Sequence, residues 1–316
     1  MKEDKNKMKI THILAIIMVV IFTTAASCNT GRQASQTVES PFAGGIEGLD
    51  VELEEIGSVS DTGAKNEVWE DEAFPVDLRV MNKGEHNILA HEVEFEIKGI
   101  SPHDFTGLSF NENNANKIEG VSEFLPEGGI DYISFGDAQY VALTGTHYDA
   151  NFFVYYSYPY KTHINIPKVC YKENIRDSTV CDVDSTKQAF SSGGPIQVGT
   201  VKEKYIGKGK ILLEIPIKNV AQGRIKAFNN DEFQPNFDEI SFQINQPGWD
   251  CTSRGNNNVA RISHPTGQPG NEEVIIRCIN DNLEEGALYQ KSITMELSYY
   301  YKDWVEQVVR IRENPE

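Results

Sequence analysis

Basic residues are scarce in this sequence of 316 residues, where 29 Lys and Arg stand against 47 Asp and Glu and the formal net charge is −18. Binding to nucleic-acid phosphates or anionic lipid headgroups depends on clustered Lys and Arg. This deficit excludes nucleic acid as a partner. We interpret the negative charge as a surface that favours solubility, with cation binding or a salt-rich habitat as the alternative.

Catalytic motifs are also missing from the sequence. His91 and Glu92 begin the pattern of a zinc protease, but Phe95 stands where the second histidine must be. There is no Gly-x-Ser-x-Gly elbow and no glycine-rich phosphate loop leading into a helix. No Asn-x-Ser/Thr acceptor occurs, so N-glycosylation is not expected. We therefore predict that the protein is not an enzyme. An active site assembled between domains is an alternative without any local signature.

A long apolar run occurs at residues 13–22, after four lysines and before small residues that end at Cys28. This order is typical of an export signal, so residues 1–28 are predicted to be a signal peptide or a membrane anchor. Ala25-Ala26-Ser27-Cys28 resembles the lipobox of prokaryotic lipoproteins, although Ala25 stands where that family usually has Leu. The resemblance implies that Cys28 is lipidated. An uncleaved helix and free secretion are the alternatives, and all three place the remaining chain outside the cytoplasm.

The chain has only five cysteines, and an odd number in an exported protein requires an explanation. If Cys28 carries a lipid, four cysteines remain, and they allow three connectivities. We expect the local pairs Cys170–Cys181 and Cys251–Cys278, because each pair falls within one proposed domain. Zinc is the alternative, but no CxxC or HxxxH spacing supports it.

No long stretch of the chain keeps apolar residues at helical spacing. Instead, Leu49, Val51 and Leu53 alternate with acidic residues, and similar alternation recurs towards the C-terminus. Alternation with period two predicts half-buried strands. We therefore predict an all-β protein with two tandem immunoglobulin-like β-sandwich domains behind the N-terminal signal or anchor helix. The predicted segments are a tether at 29–45, a first sandwich at 46–190, a linker at 191–195 and a second sandwich at 196–316.

The two halves of the chain contain corresponding segments, which indicates an internal repeat of about 140 positions. Pro216 interrupts one of these segments, and we predict that its strand lies at a sheet edge there, since proline cannot donate to a neighbouring strand. The corresponding pairs are Val76–Asn82 with Leu213–Asn219, Val93–Ile97 with Ile240–Ile244, and Ser157–Lys161 with Ser298–Lys302.

The strand ending in Asn82-Lys83-Gly84, followed by Glu-Val-Glu-Phe-Glu-Ile, resembles the CARDB-like group of immunoglobulin-fold domains. Those domains serve as adhesion and spacer modules on bacterial and archaeal surface proteins. The resemblance covers about residues 48–160 and, more weakly, 196–311. In the second copy only Asn219 matches the turn, and Gly223 is displaced. The resemblance implies a fold and a surface location rather than an activity.

Tyrosines crowd two matching segments and are our candidate binding residues. An exposed aromatic platform would bind glycans or a protein partner, whereas cross-strand pairing inside a sheet is the structural alternative. The candidates are Tyr156, Tyr158, Tyr160, Tyr299, Tyr300 and Tyr301. Acidic loops are the candidates for calcium, with ordinary solvated loops as the alternative; they are Asp231-Glu232, Asp238-Glu239 and residues 281–285.

Together these features predict a non-catalytic lipoprotein of the cell surface, anchored to the membrane by a lipid or helix, without a cofactor other than calcium. It would bind or assemble with envelope proteins or glycans. Self-association by addition of strands to exposed sheet edges is one route to such assembly. A glycan- or solute-binding accessory module that uses the tyrosine platform is the alternative function.

Overall fold

A computed structural model describes residues 38–57, 65–141, 143–176, 180–263 and 272–314. Throughout these residues the regular structure is β-strand, with no helix, which confirms the predicted all-β class. The predicted signal peptide, its Cys28 and most of the predicted tether lie outside the described residues. Within the described part of the chain, no helix is long and apolar enough to cross a membrane.

Eight strands come from the first part of the chain, and their alternating burial follows the period-two pattern of the sequence. They are β1 (Leu49–Leu53), β2 (Glu67–Trp69), β3 (Phe74–Asn82), β4 (Glu94–Lys98), β5 (Phe105–Leu108), β6 (Asn111–Asn113), β7 (Ile130–Tyr140) and β8 (His147–Lys172).

Twelve further strands among the described residues complete the fold. They are β9 (Ser185–Lys187), β10 (Phe190–Ser191), β11 (Ile196–Val198), β12 (Val201–Gly207), β13 (Lys210–Asn219), β14 (Arg224–Lys226), β15 (Phe237–Ile244), β16 (Asp250–Ser253), β17 (Asn256–Asn257), β18 (Val259–Ser263), β19 (Glu273–Asn280) and β20 (Leu288–Arg312).

Two very long strands hold the molecule together. β8 has 26 residues and β20 has 25, and they pair antiparallel from His147 opposite Arg312 to Lys172 opposite Leu288. They lie at the centre of a shared sheet with the order β18-β15-β20-β8-β4-β6, to which β2, β10 and β14 also pair. Strands from both halves of the sequence thus form one continuous sheet.

Each half of the chain also forms a smaller sheet. The first has the order β1-β3-β7-β5, and the second has the order β17-β16-β19-β13-β12-β9 with β11 also paired to β13. Phe74 of the first smaller sheet contacts Phe152 near the beginning of β8. Trp249, which lies just before β16 of the second smaller sheet, contacts Tyr171 near the end of β8. The two smaller sheets therefore cover opposite ends of the long pair in a β-sandwich-like arrangement. Residues 40–316 form one compact unit, and the predicted linker lies between β10 and β11.

Strand pairing places the matched segments of the two halves in equivalent positions. β1 pairs with the end of β3 as β11 pairs with the end of β13. In the shared sheet, Glu94 of β4 lies opposite Ser157, and Ser241 of β15 lies opposite Ser298. The third pair of segments, which contains these serines, lies face to face across β8 and β20. The two copies are thus related by an approximate two-fold axis between the long strands.

Pro216 does not lie on an edge strand, because β13 pairs with β19 on one side and with β11 and β12 on the other. It does lie where that second side is interrupted, between the part of β13 paired to β12 and the part paired to β11. Gly199 in the break donates its N–H to the Pro216 carbonyl at 2.8 Å. The missing N–H of proline is tolerated there because no strand requires it.

The structure contains both expected disulfides, Cys170–Cys181 and Cys251–Cys278. Cys251 and Cys278 lie directly opposite each other on β16 and β19. Disulfides persist in oxidising compartments. The two bridges therefore indicate an extracytoplasmic environment for the folded chain.

Candidate functional site

Five of the six predicted binding tyrosines do not form an exposed platform. Tyr156, Tyr158, Tyr160, Tyr299 and Tyr301 are buried between the sheets. Burial raises the pKa of the Tyr158 and Tyr299 hydroxyls well above the usual value of a tyrosine. These side chains therefore belong to the core, and only the sixth candidate, Tyr300, lies on the outer face.

Core tyrosines also form hydrogen bonds with the backbone of segments that pass over them. The Tyr158 hydroxyl accepts the Leu49 backbone N–H at 2.9 Å. The Tyr160 hydroxyl donates to the Gly193 carbonyl at 2.6 Å. Buried hydroxyls need such partners, because leaving them unpaired costs free energy. Tyr158 and Tyr160 therefore have a structural role.

The outer face of the shared sheet carries a different set of aromatic residues. Phe153 and Tyr155 of β8 lie on it, together with Tyr300 and Trp304 of β20. The Trp304 ring lies 5.6 Å from the Phe153 ring and 6.4 Å from the Tyr155 ring, measured between centroids. Trp304 is 46% exposed. Sequence reasoning predicted Tyr300 but missed Phe153, Tyr155 and Trp304. The polar residues Ser157 and Lys161 at alternate positions of β8 indicate which side faces water.

Lysines lie between these rings. The Lys302 ammonium lies 5.4 Å from the centroid of Tyr155 and 5.7 Å from that of Phe233. The Lys226 ammonium lies 5.2 Å from Phe233 and 5.1 Å from Tyr300. These distances are within the range of cation–π attraction. We call this alternating surface the aromatic–lysine band; its members are Phe153, Trp304, Tyr155, Lys302, Phe233, Lys226, Tyr300 and Phe228.

The two lysines of the band keep their charge available for a ligand. Among the described residues, neither Lys226 nor Lys302 has a carboxylate within 4.0 Å. Lys226 instead donates to the Asp231 carbonyl at 2.9 Å. Lys98 at the end of the band differs, since it forms an ion pair with Glu96 at 2.9 Å. Other described lysines, such as Lys202 and Lys218, also lack ion pairs, so the position between aromatic rings is what distinguishes Lys226 and Lys302.

A polar groove of about 290 Å³ borders the band at Tyr155 and Lys302. Carboxylate and amide side chains line it beside those two residues; they are Glu94, Glu96, Asn111, Glu112 and Asn113. Such groups donate and accept hydrogen bonds. Apolar rings, ammonium groups and hydrogen-bonding side chains thus lie side by side on one face of the sheet.

Two of the acidic candidates for calcium, Asp238 and Glu239, are engaged in ion pairs. The buried Asp238 carboxylate lies 3.2 Å from the Arg224 guanidinium and accepts the Asn219 amide at 3.1 Å. Glu239 pairs with Arg261 at 2.6 Å. In the described part of the chain, no group of three or more His, Cys, Asp or Glu is placed to hold a metal ion.

The partial zinc-protease motif is part of a turn. His91 adopts a left-handed backbone conformation with φ of 64°. The Glu92 carboxylate accepts the Leu89 backbone N–H at 2.8 Å. Phe95 is buried in β4 and provides no metal ligand. His91 and Glu92 therefore serve to form the turn and are not part of a metal site.

Comparison with protein-family models and with curated proteins identifies no relative. No protein-family model matches the chain. No curated protein is significantly similar to it. The resemblance to CARDB-like domains therefore remains a hypothesis, and the functional argument rests on the geometry of the site.

Proposed function

We propose that this protein is a non-catalytic envelope protein that binds an acidic glycan through the aromatic–lysine band. The observation that carries the proposal is the alternation of aromatic rings with two lysines that lack carboxylate partners. In this proposal two immunoglobulin-like sandwiches form the scaffold, and a lipid on Cys28 holds it at the membrane. The two disulfides support its location outside the cytoplasm.

Aromatic rings favour sugars because an exposed ring offers a flat apolar surface to the C–H groups of a pyranose. Trp and Tyr also supply contact area at a low cost in side-chain entropy. Phe153, Tyr155 and Trp304 form a contiguous cluster of this kind. The adjoining groove provides amides and carboxylates for the hydroxyl groups of the sugar. This combination suits a glycan better than a purely apolar partner.

The lysines favour an acidic glycan over a neutral one. Lys226 and Lys302 are 5–6 Å from the ring centroids, so a carboxylate on a stacked sugar would lie within reach of an ammonium group. Nucleic acid is disfavoured because the net charge of −18 repels a polyanion of high charge density. A uronic-acid polymer carries at most one charge per sugar and meets less repulsion.

The test compares a uronic-acid oligosaccharide with a neutral oligosaccharide of equal length by isothermal titration calorimetry. The double variant Tyr155→Ala/Trp304→Ala should weaken binding of the acidic ligand at least about tenfold, since it removes two stacking surfaces. Tyr132→Ala is the matched control, because Tyr132 is an exposed tyrosine of β7, a strand of the first smaller sheet. Equal loss in the control, or no binding to either ligand, would count against the proposal.

The anchor needs a separate measurement. The intact mass of protein extracted from membranes should correspond to a chain that begins at Cys28 and carries a lipid. A mass that begins at Met1 would instead indicate an uncleaved membrane helix. Neither result affects the glycan test, which uses the folded part of the chain.

A further inference from the structure

A second concave site lies on the inner side of β20, away from the aromatic–lysine band. It is a cleft of about 400 Å³ between the entry to β1, the turn after β13 and residues 301–305 of β20. Ile46, Leu49, Val51 and Val305 give it apolar walls. The cleft is thus open to solvent, and buried side chains such as Leu49, Val51, Tyr156 and Tyr301 form part of its lining.

Negative charge dominates the cleft. Glu47, Asp50 and Asp303 line it, and no Lys, Arg or His is among its described lining residues. The Asp303 carboxylate is held in place, because it accepts the Tyr301 hydroxyl and the Trp304 backbone N–H, each at 2.9 Å. Burial raises the pKa of Asp303 above its ordinary value. A cation in the cleft would relieve this cost of burying a carboxylate.

Tyr156 supplies an independent indication of a ligand. Its side chain is only 5% exposed, and its residue lies directly opposite Asp303 in the paired strands. Among the described residues its hydroxyl has no hydrogen-bond partner, whereas the neighbouring Tyr158 and Tyr301 hydroxyls both have one. Burial, followed by the charges of Asp303, Asp50 and Glu47, raises its pKa, which is consistent with a hydroxyl directed at these carboxylates.

We infer that this cleft binds a primary alkylammonium group, such as the end of a lysine side chain. The ammonium would donate hydrogen bonds to Asp303 and to the free acceptor of the Tyr156 hydroxyl. The faces of Tyr156 and Tyr301 offer cation–π attraction, and the apolar walls suit the alkyl chain. A hard metal ion is a poorer match, because calcium requires six to eight oxygen ligands.

The test titrates the folded protein with n-butylammonium, with the uncharged N-butylacetamide as the control ligand. Wild-type protein should bind n-butylammonium saturably and N-butylacetamide at least about tenfold more weakly. Asp303→Asn should weaken ammonium binding about tenfold, and Tyr156→Phe, which keeps the ring, a few-fold. Near-UV circular dichroism checks that each variant is folded. If Asp303→Asn does not fold, the affinity of Tyr156→Phe for n-butylammonium decides the test.

Glu123→Gln is the matched control for the loss of one negative charge, because Glu123 is exposed and does not line the cleft. It should bind n-butylammonium like the wild type. Equal binding of the two ligands, or equal loss in Glu123→Gln, would overturn the inference, as would displacement of the amine by calcium at equal concentration. Binding of the acidic glycan should be unchanged in Asp303→Asn, so the two proposals fail separately.

Discussion

In both halves of the molecule the same hydrogen bonds fix a turn, which follows β3 in the first half and β13 in the second. Asn82 and Asn219 are both buried, and each side-chain amide donates to the carbonyl four residues further on, at 2.7 Å to His86 and 2.9 Å to Gly223. Each side-chain oxygen accepts the backbone N–H two residues further on, at 3.1 Å. The repeat thus preserves a buried polar contact and not only an apolar pattern.

A tyrosine hydroxyl fastens the same turn in both halves. Tyr160 accepts the His86 N–H at 3.4 Å, and Tyr301 accepts the Gly223 N–H at 2.9 Å. These tyrosines lie on the two long strands, which are central to the shared sheet. Each turn is therefore tied both to its own asparagine and to a strand that the two halves share.

The halves differ in their covalent and ionic supports, which concentrate around the second smaller sheet. Cys251–Cys278 lies within that sheet. The Cys170 N–H, at the end of β8, donates to the buried Glu203 of β12 at 2.9 Å. The end of β8 thus belongs by sequence to the first half but packs with the second. The two halves therefore share an arrangement of strands but differ in the disulfides and buried polar contacts that stabilise it.

The largest predicted effect concerns the separation of the halves. Residues 46–190 and residues 196–316 should each fail to fold cooperatively when expressed alone. Each fragment would lack the strand that pairs with its own long strand, β8 or β20, along the whole length. Near-UV circular dichroism and urea titration check this, with residues 38–316 as the control. If both fragments unfold cooperatively with native-like spectra, the shared sheet is not required for the fold.

The disulfides are expected to have the next largest effect. Replacing Cys251 and Cys278 by Ala should lower the free energy of unfolding by about 3 kcal/mol, as should replacing Cys170 and Cys181, since each bridge restricts the unfolded chain. Hydrogen exchange should show the loss of protection first in β16 and β19 for Cys251 and Cys278. Equal loss throughout β1 and β3 would contradict this localisation.

The buried Glu203 gives the second half a distinct dependence on pH. Burial raises its pKa to about 7, although Lys187, with Nζ 2.9 Å from Oε2, and the Cys170 N–H oppose the shift, while Asp182 adds to it. Since the folded state favours the protonated acid, this contribution is complete below pH 4.5, the ordinary pKa, and is lost as the pH rises through 7.

The expected loss across that interval is on the order of 3 kcal/mol. Urea titrations at a series of pH values measure it. Glu203→Gln should abolish this slope, and Glu123→Gln, which removes an exposed carboxylate, should retain it. A wild-type stability that rises between pH 5 and 7, with the same slope in Glu203→Gln, would contradict the assignment.

The sequence contained enough information for the strands, the repeat and the disulfides, because each depends on local or matched patterns. Alternation at Leu49, Val51 and Leu53 corresponds to a strand, β1, in which Leu49 and Val51 are buried. Alternation does not identify the partner of a strand, however. Nothing local in β8 or β20 indicates that they pair with each other, and their lengths greatly exceed the usual three to ten residues.

The tyrosine platform illustrates a second limit. Consecutive tyrosines in a strand face opposite sides, and the sequence alone leaves open which side a second sheet covers. The smaller sheets cover the side that carries Tyr158 and Tyr299, so Tyr155 and Tyr300 lie on the outer side, where both are half-buried. The band also depends on Phe233 and Lys226, which reach it from outside the long strands. Only the tertiary structure brings them together.

The smallest predicted effect tests the two tyrosine hydroxyls that fasten equivalent turns. Tyr301→Phe should lower the free energy of unfolding by about 2 kcal/mol and Tyr160→Phe by about 1 kcal/mol. The Tyr301 hydroxyl donates to the Asp303 carboxylate, and its removal leaves the buried Gly223 N–H without that acceptor. The contact of Tyr160 with the His86 N–H is longer, at 3.4 Å.

The Gly193 carbonyl, which accepts the Tyr160 hydroxyl, keeps another hydrogen bond when that hydroxyl is removed. The Gly193 carbonyl still accepts the Glu85 N–H at 3.2 Å in Tyr160→Phe. Urea titrations of both variants under the same conditions measure the difference. Equal losses would mean that the two turns depend on their asparagines alone, and a larger loss in Tyr160→Phe would mean that the short bond to Gly193 outweighs the bond to a carboxylate.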